Sequence, residues 1–278
     1  MDAIEINIPC KFALSGEHSV LRGGRAVLLP HFEWSLKIRL ESCADMLFIE
    51  TAESLNEDAN LALNLGKAIV PEDKIKIISG KAVLENSIPV GAGLGSSAAL
   101  SVGIIRLLLG GENQISDDQV IEWARQIENH FHGRSSGMDV ATCYLQRPAL
   151  FSLSDGATPI SCDPRYRFTL HDTGERAETT ECISIVNALA DRDLNLFENL
   201  DCEMNGVTDA ICESIGTCGP ENLIRLASAM NKTTEIYEKW GLLTEKSVKL
   251  VQSLRNEGAL AARLTGAGGG GFVVALWR

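Results

Sequence analysis

The stretch that most constrains the fold of this chain is a glycine-rich loop at residues 88–109 that runs directly into an apolar helix. Glycines lack a Cβ, so the backbone N–H groups around them can close on a bulky ligand. The positive end of the helix dipole attracts anions, and two serines at the helix start are predicted to cap its first N–H groups. The stretch therefore predicts a phosphate-binding loop formed by Gly91, Ala92, Gly93, Leu94, Gly95, Ser96 and Ser97.

Two other phosphate-binding patterns are excluded by the residues that surround them. No lysine follows the last glycine of the loop, so the stretch is not a Walker A motif. A GxGxxG pattern occurs at Gly266, Gly268 and Gly271, but the residues after it, FVVALW, have the composition of a strand. A dinucleotide fingerprint must open a helix, so a dehydrogenase is not expected. The remaining alternative for the loop is a tight turn before a core helix.

Charge and cysteine content limit the class of protein further. The 278 residues carry a formal net charge of -12 and no basic run, so a nucleic-acid surface is not expected. The eight cysteines include no CxxC pair, which indicates reduced thiols in a chain of this size. The N-terminus has no signal-peptide pattern, and no apolar run is long enough to span a bilayer. We therefore expect a cytoplasmic protein without a membrane partner.

Hydrophobic periodicity predicts an α+β chain, because strands and helices follow one another without strict alternation. Turn-forming residues near 154–164 favour two domains, 1–155 and 156–278. Local patterns predict a strand at 34–41 paired as a hairpin with 46–51, and a further strand at 74–79. They also predict a helix at 58–70 capped by Asp58, and a later helix that begins with a capping box of Ser116 and Gln119.

Ionisable side chains outside the loop are candidates for catalysis or metal binding. Lys11 directly follows a predicted strand, Glu128 lies late in a predicted helix, and Asp139 follows a loop of small residues. Each has an ordinary alternative: a lysine at a strand end, a solvated carboxylate on a helix, or an aspartate that caps a helix. His130 and His132 could form a metal pair, but loop packing is the better interpretation without further clustered ligands.

Together these groups fit phosphoryl transfer. This reaction needs anion donors, an oxygen-rich magnesium site, a base for the acceptor hydroxyl and a cation near the transferred phosphate. The glycine loop supplies the donors, and Ser97 and Glu128 are candidates to hold Mg²⁺. Asp139 is the candidate base, and Lys11 is the candidate cation. Spacing alone does not establish that these groups meet in space.

Three stretches resemble the signature motifs of the GHMP kinases, the superfamily of galactokinase, homoserine kinase, mevalonate kinase and phosphomevalonate kinase. They are PCKFALSGEHSVLRGG at 9–24, IPVGAGLGSSAALSV at 88–102 and LTGAGGGGFVVAL at 264–276. The GEH triplet of the first motif and the pattern E…HGxxSGxD at 128–139 look most like mevalonate kinase. The resemblance implies a two-domain GHMP kinase fold, with an N-terminal half like ribosomal protein S5 and a helical, ferredoxin-like C-terminal half.

The resemblance also implies roles for individual residues in a kinase that uses ATP and Mg²⁺. Asp139 would be the base on the substrate hydroxyl, and Lys11 would stabilise the alkoxide and the γ-phosphate. Ser97 and Glu128 would hold Mg²⁺. The residues implied at the acceptor pocket are Glu17, His18, Thr180 and Gly268. The expected reaction converts mevalonate to 5-phosphomevalonate for isoprenoid biosynthesis, in a monomer or a homodimer.

The chain departs from the family pattern near the acceptor and the base. Cys10 replaces the glycine of the first motif, and Ser135 replaces the proline of the PSG triplet. Two alternatives therefore remain open. One is another GHMP kinase that acts on a mevalonate-like alcohol or on phosphomevalonate, and the other is a catalytically silent member of the fold that serves as a ligand sensor.

Overall fold

The computed structural model describes residues 4–110, 115–133 and 135–278, without the side chains at 42–45, 53–54 and 132. Strands and helices follow one another irregularly along the chain, which confirms the predicted α+β class. The chain forms two compact units, each assembled from separate segments. The first unit comprises Met1–Lys11, Pro30–Val90 and Gly95–Gln146, and the second comprises Phe12–Leu29, Gly91–Leu94 and Arg147–Arg278.

The first unit combines a sheet with several helices. Its elements are the start of β1 (Glu5–Ser15), the later part of β2 (Arg25–Met46), β3 (Phe48–Glu50), α1 (Glu53–Ile69), β4 (Ser79–Asn86), α2 (Ser96–Leu108), α3 (Asp117–His132) and α4 (Met138–Leu145). β4 pairs antiparallel with β2 and parallel with β3. Helix α1 connects β3 to β4, as expected because a parallel pair of strands needs a crossover connection.

Helix α2 lies in the core of the first unit, and two glycines let its neighbours approach closely. A Cβ added to Gly103 of α2 would come within 2.9 Å of the side chains of Leu36 and Ile38 on β2. A Cβ added to Gly66 of α1 would come equally close, 2.9 Å, to Leu108 of α2. Because α2 is packed from both directions, the loop that precedes it ends at a fixed point in the unit.

The second unit contains paired strands and a run of long helices. Its elements are the end of β1, the start of β2, β5 (Ala149–Ser152), β6 (Gly156–Pro159), β7 (Arg167–Asp172), α5 (Thr179–Arg192), α6 (Leu194–Ile215), α7 (Pro220–Trp240), α8 (Glu245–Asn256), β8 (Ala261–Thr265) and β9 (Phe272–Trp277). β5 pairs antiparallel with the start of β2 and with β6. β9 lies between β7 and β8, antiparallel to both. Helix α7 packs on α6 and on β8.

Two strand predictions are wrong. Residues 46–51 do not form a hairpin with the preceding strand, because β3 pairs with β4 instead. The strand predicted at 74–79 begins only at Ser79 and continues to Asn86. Its inward positions after Ser79 are Gly80, Ala82 and Leu84. Two of these three side chains are small or absent, so the hydrophobic alternation in the sequence is faint.

Three helix-cap predictions are also wrong. α1 begins at Glu53, and Ala52 rather than Asp58 is its N-cap. Ser116 is the N-cap of α3, which confirms the predicted helix start, but its side chain forms no cap hydrogen bond, so the predicted capping box is absent there. The N-cap of α2 is Gly95, again without a side-chain cap, rather than either of the serines that follow it.

Other aspects of the predicted organisation have separate outcomes. No helix in the described ranges is both long and apolar enough to cross a membrane. The cytoplasmic location and the division into 1–155 and 156–278 stay predictions. The side chain of His132 lies outside the described residues, and the described residues contain no group of three or more His, Cys, Asp or Glu suited to a metal ion.

Candidate active site

Lys11 and Asp139 form an ion pair inside the first unit. Lys11 Nζ lies 2.7 Å from Asp139 Oδ2, and the lysine side chain is only 2% exposed. Asp139 is in the first turn of α4, and Gly137 caps this helix with a φ of 86°. A left-handed φ favours glycine, so the SGMD sequence supports the sharp entry that places Asp139 here. The fold thus joins two candidates that are far apart in the sequence.

The two carboxylate oxygens of Asp139 have different surroundings. Oδ2 is paired with Lys11, whereas Oδ1 is buried and has no hydrogen-bond partner among the described residues. Leaving a buried acceptor unpaired costs on the order of 1–3 kcal/mol, and more when the group is charged. Such an atom in a native fold calls for an explanation, and a bound ligand is one. Oδ1 is therefore suited to accept a hydrogen bond from a substrate hydroxyl.

Glu128 supplies a second buried carboxylate near this pair. It lies on α3 and is 3% exposed. Burial and repulsion by Asp139 raise the pKa of the Glu128 carboxyl to about 7, although a hydrogen bond from Ser135 and the charge of Lys11 oppose the rise. Glu128 therefore offers a buried carboxylate, and carboxylate oxygens are ligands of the kind that suits Mg²⁺.

Gly95 brings the start of α2 against Lys11 in the same unit. Its φ of 78° is left-handed, and an added Cβ would lie 3.0 Å from Lys11 Cγ and 3.1 Å from Cε. Ser97 follows in the first turn of α2, and its carbonyl accepts a hydrogen bond from Ser101 Oγ at 2.9 Å. Ser96 Oγ accepts one from the Asn86 amide at 3.4 Å. The positive end of α2 and the Lys11 ammonium therefore share one region, which favours an anion.

The earlier part of the phosphate loop, Gly91–Leu94, belongs to the second unit. There it contacts the glycine-rich turn between β8 and β9. A Cβ on Gly93, whose φ is 75°, would lie 3.4 Å from Gly266 Cα, and a Cβ on Gly271 would lie 2.9 Å from the Ala92 carbonyl oxygen. The second and third glycine-rich motifs therefore meet backbone to backbone, which side chains at these positions would obstruct.

Glu17 and Arg263 form a second buried ion pair, inside the second unit. Arg263 Nη2 donates to Glu17 Oε1 at 2.6 Å, and the two side chains are 0% and 2% exposed respectively. The Gly266 N–H donates to the same carboxylate oxygen at 3.2 Å. Arg263 also stacks over the ring of Tyr237, with its Cζ 4.9 Å from the ring centroid. Glu17 thus connects the first motif to the glycine turn of the third.

His18 is buried beside this pair. Its Nε2 lies 2.6 Å from the Ala267 carbonyl oxygen, so Nε2 carries the hydrogen and donates. Burial lowers the pKa of His18, which keeps the ring neutral and makes Nδ1 an acceptor. Nδ1 is buried and has no partner among the described residues, and the ring packs edge-on against Tyr237 and Trp240. His18 therefore offers one lone pair to a ligand.

The remaining predicted acceptor residues also lie in the second unit. Thr180 is exposed near the start of α5, and its carbonyl accepts a hydrogen bond from Ser184 Oγ at 2.8 Å. Gly268 has a φ of 109°, and an added Cβ would come 2.8 Å from Leu242 Cβ. Substrate binding by Glu17, His18, Thr180 and Gly268 stays a prediction.

Comparisons with known proteins identify the family. The protein-family model described as GHMP kinases N terminal domain matches residues 47–147. The family model described as GHMP kinases C terminal matches residues 221–277. Together the two models cover more than half of the chain. The chain belongs to the GHMP kinase family. It is thus a member of a family of ATP-dependent phosphotransferases.

Relatives within the GHMP kinase family match along nearly the whole chain. A mevalonate kinase of Pyrococcus horikoshii is 28% identical over 300 residues, covering 96% of this chain and 87% of its own. The Methanococcus jannaschii mevalonate kinase structure matches with a TM-score of 0.81 at 21% identity, covering 100% of this chain and 91% of its own. The L. major mevalonate kinase in complex with R-mevalonate matches with a TM-score of 0.81 at 20% identity, covering 98% and 86%. The two structures show the shared GHMP kinase fold.

Two residues of this GHMP kinase site were missed by the sequence analysis. Arg263 is the charged residue of strand β8, in which every residue is buried, and a buried charge is rarely found without a partner. That pattern was a usable signal, although it did not identify Glu17 as the partner. Ser135 was noted only as a replacement for proline, yet it donates a hydrogen bond to Glu128 Oε2. Nothing in the sequence indicated that contact.

Proposed function

We propose that this GHMP kinase transfers the γ-phosphate of ATP to the terminal hydroxyl of mevalonate, giving 5-phosphomevalonate. The observation that carries the proposal is the Lys11–Asp139 pair: the buried Lys11 ammonium lies 2.7 Å from Oδ2, and Oδ1 has no hydrogen-bond partner in the part of the chain that the structure describes. Mevalonate is favoured as the acceptor because the relative aligned over 96% of this chain is named mevalonate kinase. The product belongs to isoprenoid biosynthesis.

Asp139 accepts the proton of the acceptor hydroxyl during the reaction. The pKa of an alcohol lies far above that of a carboxylic acid, so the hydroxyl is not deprotonated in advance. The proton passes to Oδ1 as the new P–O bond forms and the bond to ADP breaks. Lys11 stabilises the negative charge that develops on the acceptor oxygen and on the transferred phosphoryl group.

The residues of the first unit fit a magnesium ion. We propose that Glu128 and Ser97 hold Mg²⁺, since a carboxylate and a hydroxyl are oxygen ligands of the kind this ion prefers. Glu128 is buried against the repulsion of Asp139, and a bound cation would relieve that repulsion. When bound, Mg²⁺ neutralises charge on the nucleotide phosphates. Gly91 to Ser97 would bind those phosphates through backbone N–H groups.

The acceptor is proposed to be bound by residues of the second unit. His18 is suited to this role because Nδ1 is a buried acceptor without a described partner. Glu17 is engaged by Arg263, so we propose that it acts by holding the segment that carries His18. Thr180 and Gly268 stay proposed acceptor residues on the strength of the family motifs.

The first test is ADP release from Mg·ATP by the purified protein with mevalonate, phosphomevalonate, galactose, homoserine or no acceptor. Release with mevalonate alone is the expected result. Release with another alcohol would keep the kinase but refute the substrate. If no acceptor causes ADP release although the protein binds ATP measurably, the result would favour the catalytically silent sensor.

The base is tested by Asp139→Asn, with Asp118→Asn on the first turn of α3 as a control for a lost carboxylate. Asp139→Asn is expected to lower kcat by at least roughly 100-fold, because general-base catalysis contributes about 10²–10⁴-fold. ATP affinity, measured by calorimetry, should stay nearly unchanged. A variant that kept most of its turnover would show that Asp139 is not the base.

A further inference from the structure

Within the described part of the chain, Ser135 forms three hydrogen bonds in the first unit, to residues at the ends of α3 and α4. Its N–H donates to Asn129 Oδ1 at 2.8 Å, and its hydroxyl donates to Glu128 Oε2. The same hydroxyl accepts a hydrogen bond from the N–H of Gly137 at 3.0 Å. One residue therefore ties two consecutive side chains of α3 to the N-cap of α4.

These bonds connect the two carboxylates of the site. Glu128 is buried, and a buried polar group needs a hydrogen-bond partner, which the Ser135 hydroxyl supplies. Gly137 is the N-cap of α4 and lies two positions before Asp139. A shift of the Ser135 hydroxyl would act on the Glu128 carboxylate directly and on Asp139 through the first turn of α4.

We propose that Ser135 is a positioning residue, which fixes the Glu128 carboxylate for the metal ion and fixes the helix turn that carries Asp139. This inference rests on the proposed kinase function, because the metal ion belongs to that reaction. Hydrogen-bond partners of metal-binding carboxylates orient their ligands and tune the affinity for the metal. Ser135 stands in that relation to Glu128.

The motif that residues 128–139 resemble has a proline where this chain has Ser135. Proline has no N–H and no hydroxyl, so it could form neither the bond to Asn129 nor the bond to Glu128. A rigid ring is replaced here by a side chain that bonds to both helices. We therefore expect a hydroxyl at position 135 to be a requirement of this chain.

The test compares three variants of the full-length protein. Ser135→Ala removes the hydroxyl, and Ser135→Thr keeps it. Ser136→Ala is the matched control, because Ser136 Oγ accepts a long hydrogen bond, 3.4 Å, from the Met138 N–H and takes no part in the three described hydrogen bonds of Ser135. Mn²⁺ serves as the metal probe. Its dissociation constant in the presence of ADP is measured by electron paramagnetic resonance, and kcat and the Mg²⁺ activation constant are measured with mevalonate.

The expected result is that Ser135→Ala weakens Mn²⁺ binding by roughly 10-fold or more, as is typical when a partner of a metal ligand is lost. The Mg²⁺ activation constant should rise by a similar factor. Ser135→Thr should restore both values to near those of the unaltered protein, and Ser136→Ala should not change them. A purely structural role would lower the melting temperature without a selective effect on metal affinity.

The inference would be overturned if Ser135→Ala bound Mn²⁺ as the unaltered protein does, or if Ser135→Thr failed to restore binding in a folded protein. The two proposals fail in different ways. If the unaltered protein binds Mn²⁺ with ADP but phosphorylates no acceptor, the proposed function is wrong and the Mn²⁺ comparison still decides the role of Ser135. If the unaltered protein binds no more Mn²⁺ than ADP alone does, the inference is wrong as well.

Discussion

From the buried ion pair between Glu17 and Arg263 we predict how much stability the protein loses when the charge of Glu17 is removed. Glu17→Gln keeps the shape of the side chain but leaves a guanidinium that is 0% exposed without its counter-charge. Breaking a buried pair by removing one partner costs about 3–5 kcal/mol. The glutamine oxygen can still accept from Arg263 and from the Gly266 N–H, so we expect the lower end of that range, about 3 kcal/mol. At about 2–4 °C per kcal/mol, the melting temperature should fall by roughly 6–12 °C.

The assay is thermal and urea unfolding followed by circular dichroism. The control is Asp209→Asn, which removes the partner of Arg25 from a pair whose side chains are 41% and 48% exposed. Exposed pairs contribute only about 0–1 kcal/mol, so this control should scarcely change stability. The double variant Glu17→Met/Arg263→Met should regain most of the loss, because apolar replacement of a whole buried pair is often neutral. If Glu17→Gln lost no more stability than Asp209→Asn, the reasoning would be refuted.

Two further predictions concern glycine geometry and pH. In steady-state kinetics, Gly95→Ala should lower kcat by up to roughly 100-fold, because the added Cβ would displace Lys11. Gly91→Ala should retain far more activity. Gly91 has a similar φ of 67°, but nothing lies within 4 Å of its added Cβ. Equal losses in both variants would contradict the proposed clash. Burial lowers the pKa of His18 below 6.5, so below pH 6.5 the unfolded chain binds a proton that the folded chain does not. The free energy of unfolding should therefore fall with acidification by up to about 1.4 kcal/mol per pH unit. His18→Gln should flatten that slope in urea unfolding between pH 5 and 7, and an unchanged slope would exclude His18 as its source.

The sequence predicted the elements whose hydrophobic pattern is strong and local. Helix α2 and strand β9 lie where their apolar runs indicated. The pairing of β3 was not predictable in this way, because a hairpin and a crossover use the same strand pattern and differ only in the partner. The helix-cap predictions were wrong for another reason. The N-cap of α2 is Gly95, which adopts a left-handed φ without strain. Because this helix start has no side-chain cap, its first N–H groups are left for other partners.

At the site, residue identity was readable from motifs but the contacts were not. Lys11, Glu128 and Asp139 were singled out by residue type and motif, and the fold brings Lys11 and Asp139 into direct contact. Arg263 and Glu17 are 246 positions apart, and no local signal links residues at that separation. Ser135 acts through one hydroxyl whose direction depends on the turn between two helices.

The interleaved composition of the two units has a consequence for synthesis on the ribosome. Residues 12–29 of the second unit emerge early, but Arg25–Leu28 pairs with β5, which is made more than a hundred residues later. The last segment of the first unit ends at Gln146, while the second unit waits for its final strand at Phe272–Trp277. Nascent chains of intermediate length therefore expose unpaired strand edges, which makes them aggregation-prone and suitable clients for chaperones.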